Sequence, residues 1–326
     1  MNNTIKFLIN KKESGQRLDV FLSKKISHLT RSYIKNNIDS GNVKINKKII
    51  NYPSTKIKKD DFIIIKIIED KIQRITPAKI KLDIRFEDKD ILIINKPAGM
   101  VVHPGAGNYK KTLANALTYY YKNKLSNING NLRPGIVHRI DKETSGLLVI
   151  AKNNLSHFSL GKQFNNHSIK RKYIALIWGV VRPLNGKIET LITRNKKYRQ
   201  LMTVSDINGK KAITHYKTLK VFNLKDIPKI SLIECELETG RTHQIRVHMK
   251  YKGTSLLGDK QYGKKKIKFK KINKEFESNL SVLNGQTLHA KSLGFLHPTK
   301  KKFVHFESEL PADFKKILHL LEKLGD

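Results

Sequence analysis

Apolar residues near the N-terminus recur first at helical and then at strand spacing. Between residues 18 and 26, the Leu, Phe and Ile side chains fall on one face of a helix. Thr30 can cap a second helix, which carries Ile34 and Ile38 and which Gly41 ends. A strand is predicted at residues 43–45, followed by a turn at residues 46–48. A second strand is predicted at residues 62–65. The pattern predicts two helices on a small sheet.

A polar stretch without a clear period separates this unit from the rest of the chain. It runs from Lys66 to Lys81 and contains Pro77, so we place a linker there and predict two domains, residues 1–75 and 76–326. The predicted strands of the second domain are 91–95, 100–103, 147–151, 173–178 and 230–237, and its predicted helices are 113–121, 155–164 and 243–252. Helices interrupt these strands irregularly, which favours an α+β domain over a doubly wound parallel sheet. The basic stretch 264–275 is predicted to be an exposed loop.

The charge balance indicates a polyanionic partner. The chain has 65 Lys and Arg against 27 Asp and Glu, a formal net charge of +38. Nucleic acid or an acidic membrane surface would suit this excess. Abundant Lys, Ile and Asn are also expected from an AT-rich genome, but that bias does not explain why acidic residues are few, so nucleic acid is favoured.

Cysteine content and apolar runs restrict the compartment. Cys235 is the single cysteine, which excludes a disulfide framework or a multi-cysteine zinc site and fits a reducing, cytoplasmic protein. The N-terminal residues lack a signal-peptide pattern, and no run approaches the roughly 18 apolar residues of a membrane span. Secretion and membrane spanning are therefore disfavoured.

The segment VHRIDKETSGLLVIAK, which begins at Val137, combines a polar loop with a buried type of strand. The loop carries His138, Arg139 and Asp141, and a strand that follows directly can hold a carboxylate rigidly at a cleft. An aspartate in a loop is by itself more often a cap or turn residue. We interpret His138 as structural or backbone-binding.

This segment resembles the HRLDxxTSG signature of the RluA-type pseudouridine synthases of the RluC/RluD group, with Ile140 as a conservative variant. Four further strings match the family in order: NKPAGMVVHPGAG from Asn95, KYIALIWG from Lys172, LETGRTHQIRVHM from Leu237 and GDKQYG from Gly258. In the first 66 residues, RLDVFLSKK, TRSYIKNNIDSGNVKINKK and KKDDFIII resemble the S4 RNA-binding module. The matches together cover nearly the whole chain.

The resemblance implies a mixed, mainly antiparallel catalytic sheet and cofactor-free, metal-free isomerisation of uridine. Asp141 would be the catalytic carboxylate, acting either as a nucleophile or as the base that removes a sugar proton. Arg246 would be the cation that keeps Asp141 ionised, on a helix that Thr242 caps and Gly253 ends. Tyr173 would stack on the target uracil or assist proton removal from C5.

The family's base-flipping step and its RNA give further expectations. Arg139 matches the residue that fills the gap left by the flipped nucleotide. In the S4-like module, the residues placed to meet phosphates are Arg31, Lys35, Lys44 and Lys47. The motif sequences are closer to the RluD branch than to the RluC branch. This resemblance implies that the substrate is 23S rRNA and that the target is the stem-loop facing the small subunit. It also implies a monomeric enzyme.

A second reading is a non-catalytic RNA-binding or ribosome-assembly protein. It also predicts the basic charge and the S4-like module. Asp141, Tyr173 and Arg246 distinguish the two hypotheses. A docking protein has no physical reason to keep a carboxylate, an aromatic ring and a partnering cation together. Catalysis is therefore the favoured reading.

Overall fold

A computed structural model describes residues 3–325, apart from residues 27, 28, 30, 68–74, 106, 123, 129, 131, 226, 264–273 and 284. The chain divides into two compact units, Met1–Gln73 and Arg74–Asp326. Each unit has its own hydrophobic core. No helix within the described ranges is both long enough and apolar enough to cross a bilayer.

The first unit is a four-stranded antiparallel sheet with two helices, in the strand order β1-β4-β2-β3. Its elements are β1 (Asn3–Leu8), α1 (Leu18–Lys25), α2 (Arg31–Asp39), β2 (Val43–Ile45), β3 (Lys48–Ile49) and β4 (Phe62–Ile67). Asn46 and Lys47 join β2 to β3 with left-handed φ angles of 49° and 70°, which produces a tight hairpin turn. The predicted pair of helices on a small sheet is present, and the edge strands β1 and β3 are additional to the prediction. The predicted cap Thr30 lies outside the described residues.

The second unit is built on a 10-stranded sheet in the order β10-β9-β11-β12-β8-β13-β7-β6-β5, with β14 also pairing with β13. Its elements are β5 (Ile84–Glu87), β6 (Ile91–Lys96), α3 (Leu113–Tyr121), β7 (Ser145–Ala151), α4 (Asn154–Asn165), β8 (Lys170–Trp178), β9 (Asn185–Arg194), β10 (Met202–Ser205), β11 (Lys210–Phe222), β12 (Ile230–Leu237), α5 (Gln244–Tyr251), α6 (Lys274–Ser281), β13 (Leu288–Leu296), β14 (Phe303–Glu307) and α7 (Ala312–Gly325). The β13–β7 pair is parallel and the other recorded pairs are antiparallel. The predicted α+β, mainly antiparallel class is confirmed.

Both faces of β8 are covered, so this strand lies inside the domain. Tyr173, Ala175 and Ile177 belong to one core cluster, and Ile174 and Leu176 to another. This division follows the two-residue period of a strand. The prediction that the first three share a face is correct.

The predicted strand at residues 100–103 is wrong. Its backbone carbonyls bind a helix instead of a strand: Val101 O and Val102 O accept hydrogen bonds from the amides of Leu113 and Ala114. These amides belong to the first turn of α3, where backbone N–H groups have no acceptor within their own helix. Of the predicted basic loop 264–275, residues 264–273 lie outside the described residues and the last two begin α6.

Candidate active site

Asp141 lies in a loop that is anchored by β7, an interior strand of the sheet. All seven residues of β7 are buried, and the amide of Thr144 donates to Asp141 O at 3.1 Å. Gly146 has φ 113°, and a Cβ there would lie 2.3 Å from Ala290 O of the neighbouring β13. Only glycine allows this close approach. The glycine of the TSG string therefore permits the strand contact behind the loop.

Arg246 projects from α5 and binds two carboxylates. Its Nη1 donates to Asp141 Oδ2 at 3.0 Å, while Nε and Nη2 donate to the two oxygens of Asp259 at 2.8 and 2.9 Å. Nη2 also donates to Gln261 Oε1 at 2.8 Å. The predicted contact between Asp141 and Arg246 is present, and the GDKQYG string supplies the groups that hold the guanidinium from its other side.

The charges in this cluster reinforce one another. Desolvation lowers the pKa of Arg246, but the hydrogen bonds and charges of Asp259 and Asp141 outweigh it and raise the pKa above its ordinary value. Burial raises the pKa of Asp259, yet Arg246 and two backbone amides lower it below its usual range. Asp259 is thus ionised and fixes the guanidinium that faces Asp141.

Thr242 does not cap α5. The helix begins at Gln244, and its N-cap is His243, in the left-handed conformation with no side-chain cap hydrogen bond. The side chain of Gln244 holds this turn, because its Oε1 accepts from Arg241 N and Thr239 Oγ1 and its Nε2 donates to the carbonyl of Ile213. The predicted cap was wrong because a buried amide, not a hydroxyl, organises the start of the helix.

Tyr173 is 7% exposed and lines the same cavity as Asp141. Burial is the main reason that its pKa is raised, Asp141 raises it further, and Arg171 opposes both. The phenol therefore keeps its proton at neutral pH. It can present a ring face or a hydroxyl to a ligand in the cavity.

Arg139 is exposed and lies at the same cavity. Its Nη1 lies 3.2 Å from His103 Nε2, and because the guanidinium can only donate, the imidazole is the acceptor. Burial, followed by the charges of Arg139 and Arg133, lowers the pKa of His103 to about 4. His103 is thus neutral and able to hold Arg139, a role that its position in the HPGAG string did not reveal.

His138 also lines the cavity, but its ring is held by the backbone of β7 and by an aromatic neighbour. Its Nε2 accepts a hydrogen bond from Val149 N at 3.0 Å, and its ring stacks on Phe164 with centroids 4.6 Å apart. This agrees with the prediction that it binds backbone.

These groups surround a cavity of about 400 Å³. Its volume lies within the ~300–1,000 Å³ range that is typical of small-ligand sites. Asp141, Tyr173, Arg246 and Arg139 all line it. Among the other lining residues, Arg171, Arg241 and His243 carry cationic or imidazole groups that were not predicted as part of the site. Arg241 and His243 belong to the LETGRTHQIRVHM motif, but no spacing rule distinguishes a cavity-facing side chain from its neighbours in a turn.

Arg171 adds a buried cation to this wall. It is 8% exposed, and its Nη2 donates to the carbonyls of Glu238 at 3.0 Å and Leu237 at 3.4 Å. Its Nε has no hydrogen-bond partner within the described part of the chain. With Arg139, Arg241 and Arg246, it gives the cavity a basic lining suited to a phosphate-bearing ligand.

In the first unit, the predicted RNA contacts differ in their charge balance. Arg31 donates to Asp19 Oδ2 at 2.8 Å, so its charge is partly compensated. Lys35, Lys44 and Lys47 are exposed, on α2, on β2 and in the following turn. RNA contact by these four residues remains a prediction.

One carboxylate and imidazole cluster outside the cavity has metal-like spacing. Asp88, Asp90 and His297 each offer a ligand atom within 4.8 Å of the others. Their polar atoms already share hydrogen bonds, since Asp88 accepts from His297 at 2.9 Å and Asp90 accepts from Thr299 at 2.6 Å. These bonds account for the cluster as a link between the β5–β6 turn and the β13–β14 turn.

Comparison with known proteins finds matches in both units of the chain. A model of the RNA pseudouridylate synthase family matches residues 90–251, and a model of the S4 domain matches residues 16–63. The ribosomal large subunit pseudouridine synthase D of Zymomonas mobilis is 46% identical over 309 residues, covering 94% of each chain. An uncharacterized RNA pseudouridine synthase of Bacillus subtilis is 41% identical over 326 residues, covering 99% of this chain and 100% of that relative.

A solved structure supports the fold. The human RNA pseudouridylate synthase domain containing 4 superposes with a TM-score of 0.55, at 24% identity, and the match covers 73% of this chain and 92% of the human one.

Proposed function

This chain belongs to the RluA-type RNA pseudouridylate synthase family and is a pseudouridine synthase with an S4 domain, and we propose that it modifies 23S rRNA with Asp141 as its catalytic carboxylate. The observation that carries the proposal is the Asp141–Arg246 ion pair at the wall of a cavity that Tyr173 also lines.

The reaction requires no outside atom. The bond from N1 to C1′ breaks, the uracil turns, and a bond from C5 to C1′ forms, while C5 loses a proton and N1 gains one. A carboxylate can begin this sequence either as a nucleophile or as the base that removes a sugar proton. Both roles require an ionised Asp141.

The contacts of Asp141 suit either role. Arg246 holds Oδ2, and Oδ1 has no hydrogen bond within the described residues. His243 Nε2 lies 3.9 Å from Oδ1. One oxygen thus keeps the charge in place and the other is free for the nucleotide. Tyr173, protonated and on the same wall, supplies a surface on which the turning base can stack.

The target nucleotide must leave its stack to reach this cavity, and this step costs a few kcal/mol of unstacking. Arg139 is an exposed cation at the cavity, held by the neutral His103. We propose that it occupies the space that the flipped base leaves in the RNA. The S4 domain, with its exposed Lys35, Lys44 and Lys47, would capture the RNA through phosphates.

Relatives support large-subunit rRNA as the substrate. The Zymomonas protein and several Buchnera proteins, the latter 40–42% identical, carry the name ribosomal large subunit pseudouridine synthase D. We propose the stem-loop of 23S rRNA that faces the small subunit as the target, and a cytoplasmic enzyme that acts as a monomer. The alternatives are RluC-like specificity for other 23S uridines and a non-catalytic role in ribosome assembly.

Chemical mapping of pseudouridine in 23S rRNA tests these readings together. Cells lacking the protein should lose pseudouridine in that stem-loop, and the wild-type protein, but not Asp141→Asn, should restore it. Loss at other 23S uridines would instead support the RluC-like reading. An unchanged 23S map would overturn the substrate, and restoration by Asp141→Asn would favour the non-catalytic role.

A further inference from the structure

His243 has a backbone conformation that needs a reason. It sits at the start of α5 with φ 56° and ψ 22°, the left-handed region. Histidine enters this region more readily than most residues, but the conformation is still unfavourable for a residue with a side chain. Its side chain makes no capping hydrogen bond to repay this cost. The strained backbone instead directs the imidazole to the cavity.

A chain of hydrogen bonds fixes which ring nitrogen carries the proton. The amide of Met202, on β10, donates to Tyr262 Oη at 2.7 Å. The hydroxyl has one hydrogen to donate, and its other hydrogen-bond partner within the described residues is His243 Nδ1, which lies 2.8 Å away. Since burial raises the pKa of Tyr262 to about 12, that hydroxyl keeps its hydrogen. Nδ1 is therefore the acceptor, and the neutral imidazole carries its hydrogen on Nε2.

Nε2 faces the reacting carboxylate without binding it. It lies 3.9 Å from Asp141 Oδ1, beyond hydrogen-bonding distance. Arg246 already binds the other oxygen, Oδ2. The hydrogen on Nε2 and the free oxygen of Asp141 thus border the same space, where the nucleotide would lie.

The surroundings keep this imidazole uncharged. Burial is the main cause that lowers the pKa of His243, and Arg246 and Arg139 lower it further, while Asp141 and Asp259 oppose them. A neutral N–H group can polarise a carbonyl without transferring its proton. The site therefore has a donor that differs in character from its arginines.

We propose that the Nε2–H group of His243 donates a hydrogen bond to a carbonyl oxygen of the flipped uracil, and that this bond strengthens as the bond from N1 to C1′ breaks. The inference rests on the pseudouridine synthase activity and adds a catalytic residue to it. The departing uracil takes the bonding electron pair, so negative charge spreads onto its carbonyl oxygens. When C1′ rejoins at C5, that charge returns to the new bond. His243 neither gains nor loses a proton in these steps.

The expected size of the effect follows from other preorganised donors. Removing one donor that faces a developing oxyanion lowers kcat by about 10²–10³-fold. Substrate capture, which depends on phosphate contacts, should change little.

Single-turnover measurements at saturating enzyme test the proposal, with an RNA chosen because the wild-type enzyme modifies it. His243→Phe, which keeps a ring but has no donor, should slow the reaction by on the order of 10²-fold with little change in RNA affinity. His243→Gln, whose amide can donate from a similar reach, should recover a large part of this loss. Tyr262→Phe should give an intermediate rate, because nothing then fixes the hydrogen on Nε2.

A substrate change separates catalysis from mere packing. Sulfur in place of a uracil carbonyl oxygen, as 2-thiouridine or 4-thiouridine, is a weaker hydrogen-bond acceptor. One of the two should slow the wild-type enzyme and slow His243→Phe no further. The proposal is overturned if His243→Phe turns over at the wild-type rate, or if sulfur slows both enzymes equally and Gln fails to rescue. Because the RNA is any that the wild type modifies, an error in the 23S assignment would change the RNA and not these outcomes.

Discussion

Arg246 links Asp141 to a second, fully buried carboxylate: its Nη1 lies 3.0 Å from Asp141 Oδ2 while its Nε lies 2.8 Å from Asp259 Oδ2. A planar guanidinium can serve both carboxylates at once, whereas a lysine ammonium is a single point charge. Asp259 therefore acts through Arg246, by holding the cation in the orientation in which it meets Asp141.

Two effects of Arg246 can be separated by substitution. Arg246→Met should abolish most activity and destabilise the fold by about 3–5 kcal/mol, because Asp259 is left as a buried, unpaired charge. The double variant Arg246→Met/Asp259→Asn should recover much of that stability, since the buried charge is gone, but not the activity, since Asp141 still lacks its cation. Denaturant unfolding and single-turnover rates report the two quantities. Activity that returns together with stability would show that Arg246 is only structural.

The S4 domain should contribute to capture and not to chemistry. The triple variant in which Lys35, Lys44 and Lys47 are changed to Glu should bind RNA more weakly. Its affinity should also depend less on salt, with the slope of log K against log salt concentration reduced by up to about 3. The rate at saturating enzyme should be unchanged, because the cavity residues belong to the other unit.

A matched control for this charge change is available in the same domain. Lys6, Lys11 and Lys12 are also exposed, and their change to Glu alters the net charge equally. We expect this control to reduce affinity less than the first triple variant. Equal losses would mean that overall charge, and not a docking face, attracts the RNA.

Two buried histidines predict acid sensitivity. His248 lies between the hydroxyls of Thr190 and Thr214, and His289 between those of Ser145 and Ser308. Burial lowers the pKa of each to about 4, from 6.5 in the unfolded chain. Between these pH values the unfolded chain binds more protons than the folded protein. The contribution of these histidines to the free energy of unfolding is therefore fully present above pH ~6.5 and decreases towards pH ~4.

Each histidine should contribute a slope of about 1.4 kcal/mol per pH unit to the free energy of unfolding in that window. Urea unfolding at a series of pH values measures it. His289→Gln should show a shallower slope than the wild type by about one proton. Identical slopes would mean that His289 is protonated in the folded protein.

The sequence predicted several elements whose pattern is strong and local, although the amphipathic helix α7 was not predicted. The α3 helix has clear periodicity and a capping box formed by Thr112 and Asn115, and residues 147–151 of β7 are an uninterrupted apolar run. The long strands β9 and β11 were not predicted, because many of their residues are exposed and their alternation is weak. The insertion of β13 between β7 and β8 joins residues more than 100 positions apart, a pairing that no local pattern encodes.

The site was predicted chiefly through family resemblance. Matching motifs gave the Asp141–Arg246 pair, but they assigned no role to Asp259, although its string was recognised. Thr242 was chosen as a cap by residue type, yet Gln244 and the left-handed His243 shape that turn. The wrong cap arises because the turn is fixed by buried contacts of Gln244 with β11, whose residues are far away in the chain.

The most direct test of the central claim compares wild-type protein with Asp141→Asn on a 23S rRNA fragment that contains the stem-loop facing the small subunit. The substitution keeps the shape of the side chain and removes its charge, so RNA affinity should stay near the wild-type value. Pseudouridine formation at saturating enzyme in a single turnover should fall to background. Product formed by Asp141→Asn at the wild-type rate would contradict the catalytic role of this carboxylate.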